Sequence, residues 1–227
     1  MKLAFVSDIH GNLPALEVVL AEIAKEAPDE ILLLGDLLGH LGFPEETAAV
    51  ARERRLVGVV GNIDLDVLRA PRGKAGRNDR ATFDRLSAAT VRWVGTLPWT
   101  RRIMRGGATL LLTHGTPRNP SEPLRPNLDS HAFLHLLGNG TVDIVGCGHT
   151  HMPSVAEIAG VLVVNPGSVG RPYDGDPRAS YAIVEVREQA RAYLRRVAYD
   201  VERTARAVAE QGQPESVAAG LRAGTRG

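Results

Sequence analysis

Five times along this chain an apolar run stops at one or two side chains of the kind that ligate metals. The runs end at Phe5-Val-Ser-Asp-Ile-His10, Leu32-Leu-Leu-Gly-Asp36, Val59-Val-Gly-Asn62, Leu111-Leu-Thr-His114 and Val145-Gly-Cys-Gly-His-Thr-His-Met152. Short apolar runs bounded by glycine and polar residues read as buried strands. Polar groups placed only at the ends of such strands require a fold that brings those ends to one place. The last run carries the sharpest signal, because His149 and His151 flank a single threonine and two neutral imidazoles that close together usually serve a metal.

Between these strand ends the pattern turns helical. Leu16, Val19, Leu20, Ile23 and Ala24 fall at helical spacing within a helix from about Leu13 to Lys25, and Pro14 sits where a first turn tolerates it. Ile31 to Leu34 is the next strand, Pro44 to Arg54 a second helix and Leu56 to Val60 a third strand. That β-α-β-α-β order, with near-continuous apolar strands, predicts a parallel sheet covered by helices. Ala70 to Arg80 reads as a surface loop leading to a helix near Ala81 to Val94. Arg101 to Met104 and Ala108 to Leu112 form a hairpin through Gly106-Gly107, which opens a second, more antiparallel sheet.

Thr116 to Asn127 holds Pro117, Pro120, Pro123 and Pro126, a rigid loop immediately after His114 that is expected to wall the site. A helix near Leu128 to Leu137 follows, then strands at Val142 to Val145, Ser154 to Ile158, Val161 to Asn165, Ser180 to Val186 and Arg191 to Val197. A helix over Val201 to Gln211 is stopped by Pro214 and followed by a short amphipathic piece. The whole is read as one domain over residues 1–227, with no internal repeat or linker.

Balanced charge, with 27 basic against 26 acidic side chains and a net +1, removes the long-range field that a nucleic-acid polymer or anionic membrane would need. Aromatics at 4% supply no stacking platform for single strands either. Cys147 is the only cysteine, so no intrachain disulfide forms and a reducing, cytoplasmic setting is expected. A residue ending a buried strand is a small core side chain more often than a nucleophile. His131 and His135, at i and i+4 on one helix, have no third ligand nearby and are assigned surface and packing roles.

Taken together, Asp8-x-His10, Gly35-Asp36, Gly61-Asn62, His114-Gly115 and Gly148-His149-Thr-His151, followed by Asn165-Pro-Gly-Ser-Val-Gly170 and Asp174-Gly-Asp-Pro-Arg-Ala-Ser-Tyr181, resemble the calcineurin-like metallophosphoesterases. The resemblance covers nearly the whole chain and is closest to the small bacterial and archaeal phosphodiesterases. It implies a two-sheet α/β/β/α sandwich with mixed sheets and helices on both outer faces. It also implies two divalent metal ions, one held by Asp8, His10, Asp36 and His151, the other by Asp36, Asn62, His114 and His149, with Asp36 bridging. Mixed carboxylate, imidazole and amide ligands suit Mn, Fe, Ni, Co or Zn better than an all-oxygen Mg or Ca site. In two-metal sites about 3.5–4 Å apart a bridging water ionises near neutral pH, and the hydroxide attacks phosphorus in line with the leaving oxygen.

One position departs from that family. Many members read Gly-Asn-His-Asp, where the histidine is taken to protonate the leaving group; here Ile63 stands in its place. An isoleucine cannot donate a proton, and His40, in the loop after Asp36, is the candidate replacement. The catalytic candidates are therefore Asp36, Asn62, His114 and His40. Arg171 and Arg178, in loops beside Asn165 to Gly170, are candidate phosphate contacts, with pairing to Asp174 or Asp176 as the alternative.

The leading expectation is a metal-dependent phosphodiesterase acting on a small phosphate ester, with no long nucleic acid and no membrane as partner; a homo-oligomer is left open. The alternatives are a phosphomonoesterase or nucleoside polyphosphate hydrolase and, from a different class, a non-catalytic protein-binding scaffold on the same fold. A pure scaffold has no need of seven ligands.

Overall fold

A computed structural model describes residues 1–73 and 76–227. β1 (Lys2–Val6), α1 (Leu13–Glu26), β2 (Glu30–Leu34), α2 (Pro44–Glu53) and β3 (Val57–Val59) follow the predicted alternation. α1 starts where Asn12 accepts a hydrogen bond from the Ala15 backbone, and it ends at Ala27 in a left-handed conformation. β1, β2 and β3 pair in parallel.

Three departures from the sequence reading follow β3. Asn62 begins a helix, α3 (Asn62–Arg69), whose Gly61 backbone N–H donates to the Asp64 carboxylate in a capping arrangement. The segment expected as a loop over 70–80 instead contains a 3-10 turn (Ala70–Arg72) and the start of α4 (Arg77–Phe83), while Lys74 and Ala75 lie outside the described residues. The single helix expected at 81–94 is divided, because Ser87 caps a new helix, α5 (Ala88–Val94), by accepting from the Thr90 backbone.

β4 (Thr100–Arg105) and β5 (Ala108–Thr113) form the expected hairpin, with Gly106 and Gly107 both at positive φ as a type I′ turn demands. Then come α6 (Ser130–Leu137), β6 (Ile144–Gly146), β7 (Ser154–Ile158), β8 (Val161–Asn165), β9 (Ala179–Glu185), β10 (Arg191–Val197), α7 (Val201–Glu210) and α8 (Glu215–Ala223). The second sheet runs β4-β5-β6-β8-β7 and is less antiparallel than its opening hairpin implies, since β5, β6 and β8 are parallel and only the outer strands reverse. β9 and β10 cross back to the first sheet, giving the order β10-β9-β1-β2-β3.

Alternation within the apolar runs explains the layers. Leu3 and Phe5 of β1, Leu32 and Leu34 of β2, and Leu110, Leu112, Ile144 and Val164 of the second sheet meet in a core between the sheets. Their neighbours Ala4, Val6 and Leu33 face the other way, against α1 and α2. Leu111, Val145 and Val163 face outward too, onto Phe133 and Leu137 of α6, while His131 and His135 are exposed. Cys147 lies in this outer core, where burial pushes its thiol up to about 12. The result is the predicted α/β/β/α sandwich, with parallel strands of both sheets ending on one side. No helix among the described residues is long and apolar enough to cross a membrane.

Candidate metal centre

Each candidate ligand leaves the sheet within a few residues of a strand end, and the backbone bends sharply there. Asp8, His10, Asp36, His149 and His151 all have φ between 50° and 66°, and they make up five of the eight non-glycine residues at positive φ among the described residues. Aspartate and histidine enter the left-handed region at a cost, and such strain collects where a side chain has to be aimed. Close backbone approach does the rest. A Cβ at Gly61 would fall on Asp36 Oδ1, and one at Gly148 would fall on Ser7 Oγ.

The donor atoms converge in two overlapping groups. Around Asp8 Oδ1 stand His151 Nε2 at 3.2 Å, His10 Nε2 at 3.7 Å and His114 Nε2 at 3.8 Å. Around Asp36 Oδ2 stand His114 Nε2 at 3.2 Å and His10 Nε2 at 3.7 Å. Asn62 Oδ1 continues the row, 3.2 Å from His114 Nε2 and 2.9 Å from His149 Nδ1. All seven predicted ligands are thus in one place; His10 and His114 reach both carboxylates, and Asp8 belongs to both of the tightest donor groups, Asp8 with His10 and His151 and Asp8 with Asp36 and His114. Asp8, His10, Asp36, His114 and His151 are buried.

Surrounding groups fix which atoms point inward. His114 Nδ1–H donates to the Leu34 carbonyl at 2.7 Å and His151 Nδ1–H to the Arg171 carbonyl at 2.5 Å, which leaves both Nε2 atoms facing the carboxylates. Asp36 Oδ1 accepts from the Ile63 backbone N–H at 2.8 Å, so Oδ2 is the oxygen turned inward. Asp8 Oδ2 accepts from the His149 backbone N–H at 3.0 Å.

These residues fit a cation. Asp8 Oδ1 is buried without a hydrogen-bond partner, and a carboxylate oxygen left that way in a protein interior is costly unless a charge faces it. Burial disfavours a charged His114, yet Asp36 and Asp8 together hold its imidazole up to about 10, so positive charge is strongly stabilised at this spot. Burial works against the carboxylate of Asp8 as well, but the neighbouring imidazoles, His151 foremost, hold it well below the usual range.

The other sequence candidates are not among these converging donor atoms. His40 is engaged at both ring nitrogens, Nδ1 3.1 Å from Thr82 Oγ1 and Nε2 3.3 Å from Asp79, so α4 anchors the loop that carries it. Arg178 makes the alternative contact, a bidentate pair with Asp176 on the surface. Arg171 sits beside the centre through its own carbonyl. Ile63 packs against the core beneath the first sheet. The proline-rich loop does supply a wall, since Pro123 and Arg125 line a cavity with His149. Sequence reasoning missed Tyr173, whose ring stacks on His151 with centroids 4.1 Å apart and planes 3° from parallel; nothing in the spacing of a lone tyrosine signals such a contact.

Comparison with known proteins agrees with this geometry. Residues 1–189 match the family model of the calcineurin-like phosphoesterase superfamily domain. Phosphodiesterase YfcE of Escherichia coli is 31% identical over 195 residues, covering 82% of this chain and 88% of that protein. An uncharacterized protein of Methanocaldococcus jannaschii is 28% identical over 94% of both chains. The crystal structure of a metallophosphoesterase from Sphaerobacter thermophilus superposes with a TM-score of 0.80 at 30% identity, covering 99% of this chain and 100% of that one. Five strand ends that deliver histidine, aspartate and asparagine to one buried point, on the fold these relatives share, make the chain a phosphoric ester hydrolase that belongs to the calcineurin-like phosphoesterase superfamily.

Proposed function

We propose that this protein hydrolyses small phosphodiesters at a centre for two divalent metal ions held by Asp8, His10, Asp36, Asn62, His114, His149 and His151, with Asp36 shared. The observation that carries the reading is the unpartnered Asp8 Oδ1 inside a ring of inward-facing imidazole nitrogens. The similarity to a phosphodiesterase supports the substrate class. When bound, such ions supply an electrophile for the phosphoryl oxygens and lower the pKa of water.

The chain's own residues supply orientation. Carbonyls of Leu34 and Arg171 lock the tautomers of His114 and His151, and the Ile63 backbone amide turns one oxygen of Asp36 inward. Asn62 Oδ1 places a neutral donor beside His149 and His114, at the open side of the centre.

Ile63 has no proton to offer a leaving oxygen, and both nitrogens of His40 already have partners in α4. This favours diesters with good or strained leaving groups over alkyl monoesters. The two sheets share one core, which supports a single domain, and the buried, unpaired Cys147 is compatible with a reducing cytoplasm. A net charge of +1 fits a small substrate rather than a nucleic-acid polymer or membrane surface.

The test is a panel of phosphodiesters and phosphomonoesters offered to metal-stripped protein with Mn, Fe, Ni, Co or Zn restored singly. Metal-dependent cleavage of activated diesters, with alkyl monoesters poor, is expected. Preferred turnover of alkyl monoesters would overturn the diesterase reading.

A further inference from the structure

The family match stops at residue 189, yet the chain beyond it returns to the metal centre. α7 and α8 pack on the loop after Asp36, where Val208 and Leu221 enclose Leu41. Thr204 Oγ1 donates to Asn12 Oδ1 at 2.8 Å, and Asn12 Nδ2 donates to the Gly170 carbonyl at 2.8 Å, so α7 is tied through buried polar groups to the loop that follows β8. After α8, the Gly224 carbonyl accepts from the Gly175 backbone at 2.9 Å. These contacts set Arg226 over the ring of Tyr173.

Tyr173 thereby becomes the floor of a cationic cleft. One face stacks on His151; the guanidinium carbons of Arg226 and Arg171 lie 5.3 Å and 5.6 Å from its ring centroid. Arg171 Nη2 donates to the Arg226 carbonyl at 2.9 Å, while its Nε is buried with no hydrogen-bond partner. A cavity of about 430 Å³ opens here, lined by Arg125 and Pro123 on one side and by His149, Tyr173 and Arg226 on the other. Among the described residues, Arg125, Arg171 and Arg226 make no ion pair. Arg125 and Arg226, two guanidiniums without a carboxylate partner on a space that touches a candidate ligand, with Arg171 bonded behind Arg226, form a place for anionic charge, and planar guanidinium suits phosphate in particular.

We propose that this cleft is a subsite for a second phosphate group on the substrate, held by Arg226 and Arg125 while the scissile phosphate occupies the metal centre. It rests on the diesterase reading above and narrows it: the preferred substrate is a nucleotide-like diester carrying an additional phosphomonoester. Arg171 holds Arg226 in place by donating to its carbonyl and is a positioning residue. The volume accommodates a phosphate with an attached sugar.

The experiment compares two matched substrates, the p-nitrophenyl ester of thymidine 5′-phosphate with and without a 3′-phosphate, and uses bis(p-nitrophenyl) phosphate as the reference diester. A charge-assisted hydrogen bond is worth about tenfold or more, so wild type should prefer the 3′-phosphorylated ester by roughly that factor in kcat/KM. Arg226→Gln should collapse the preference mainly through KM, and Arg226→Lys should restore part of it. Equal kcat/KM for the two esters in wild type, with bis(p-nitrophenyl) phosphate still cleaved, would overturn the subsite and leave the diesterase reading intact. No cleavage of any diester with any metal would overturn the diesterase reading itself. Should Arg226→Gln fail to fold, inhibition of wild type decides the matter: a 3′,5′-bisphosphate that inhibits no better than the 5′-monophosphate would likewise overturn the subsite.

Discussion

Nε2 of His10 lies 3.1 Å from Nε2 of His151. His151 donates through Nδ1 to a carbonyl, so in its neutral form Nε2 carries a lone pair aimed at the other ring. The contact is held by one proton, which His10 Nε2 can supply, or by a cation that both nitrogens face. Stripping divalent ions should therefore lower thermal stability, and restoring a tightly bound ion at 100 times its dissociation constant should raise it by about 2.7 kcal/mol. Thermal melts in chelator and in added Mn, Co or Zn check this; melting points that ignore both would contradict a cation site here.

Asp36→Asn is expected to lower kcat/KM by more than about 100-fold and to do more harm than loss of any ligand serving one group alone. The Ile63 N–H fixes Oδ1 as an acceptor, so the amide NH2 of the variant must occupy the Oδ2 position, facing His114 and His10 with hydrogens instead of a lone pair. Metal content measured beside turnover is the check, and a variant that keeps two metals and the wild-type rate would remove Asp36 from the bridging role.

Leaving-group dependence should be steep. General-acid assistance is worth about 10²–10⁴-fold, and Ile63, a half-buried apolar side chain packed against the core, does not provide it. Aryl diesters and strained cyclic diesters should be cleaved well, alkyl monoesters poorly, and Ile63→His should narrow the gap where the new ring reaches the leaving oxygen. A leaving-group series at fixed metal reads this out, with His40→Ala as a companion; because α4 occupies both His40 nitrogens, that variant should lose stability more than it loses slope.

Asp64 gives a pH signature to the metal-free protein. Its carboxylate accepts from Leu38 N–H at 2.7 Å and Gly61 N–H at 2.9 Å, but burial, and then the charge of Asp36, pushes its pKa up to about 6. A carboxyl that binds its proton more tightly folded than unfolded contributes stability fully below pH about 4, and this is lost as pH rises through about 6. Relative to Asp64→Asn, which does not titrate, wild type should lose up to about 3 kcal/mol between pH 4 and 7. Urea unfolding of the two metal-free proteins across that range measures it, and a difference independent of pH would place Asp64 at an ordinary pKa.

Legibility in the sequence depends on range. The Gly106-Gly107 turn and the helix starting at Leu13 are each written into a few adjacent residues, and the structure agrees with both; it also brings the seven candidate ligand residues to one place. α3 is equally local and still escapes a reading by apolar runs: Asn62 resembles the end of a strand, although Gly61 followed by Asp64 three residues later is a helix-start pattern. Non-local pairing leaves no such trace. Nothing in the residues of β9 says that it will lie against β1 rather than extend the sheet containing β8, and nothing in residues 171–173 announces an arginine 55 positions further on. Cys147 and the exposed pair His131 and His135 match their plain readings, since burial and periodicity alone decide them.

The left-handed backbone at five candidate ligand positions bears on any effort to select variants of this protein by heat resistance. Glycine fits that conformation without strain, so His149→Gly or His151→Gly relieves backbone strain while deleting a candidate metal donor. Without added metal, the changes that destroy the centre are among those that make the scaffold more comfortable, and a search for robustness in chelating buffer will drift toward well-folded, inert molecules. Selection in the presence of metal reverses that bias, because the ion then rewards the strained geometry that the bare chain resists.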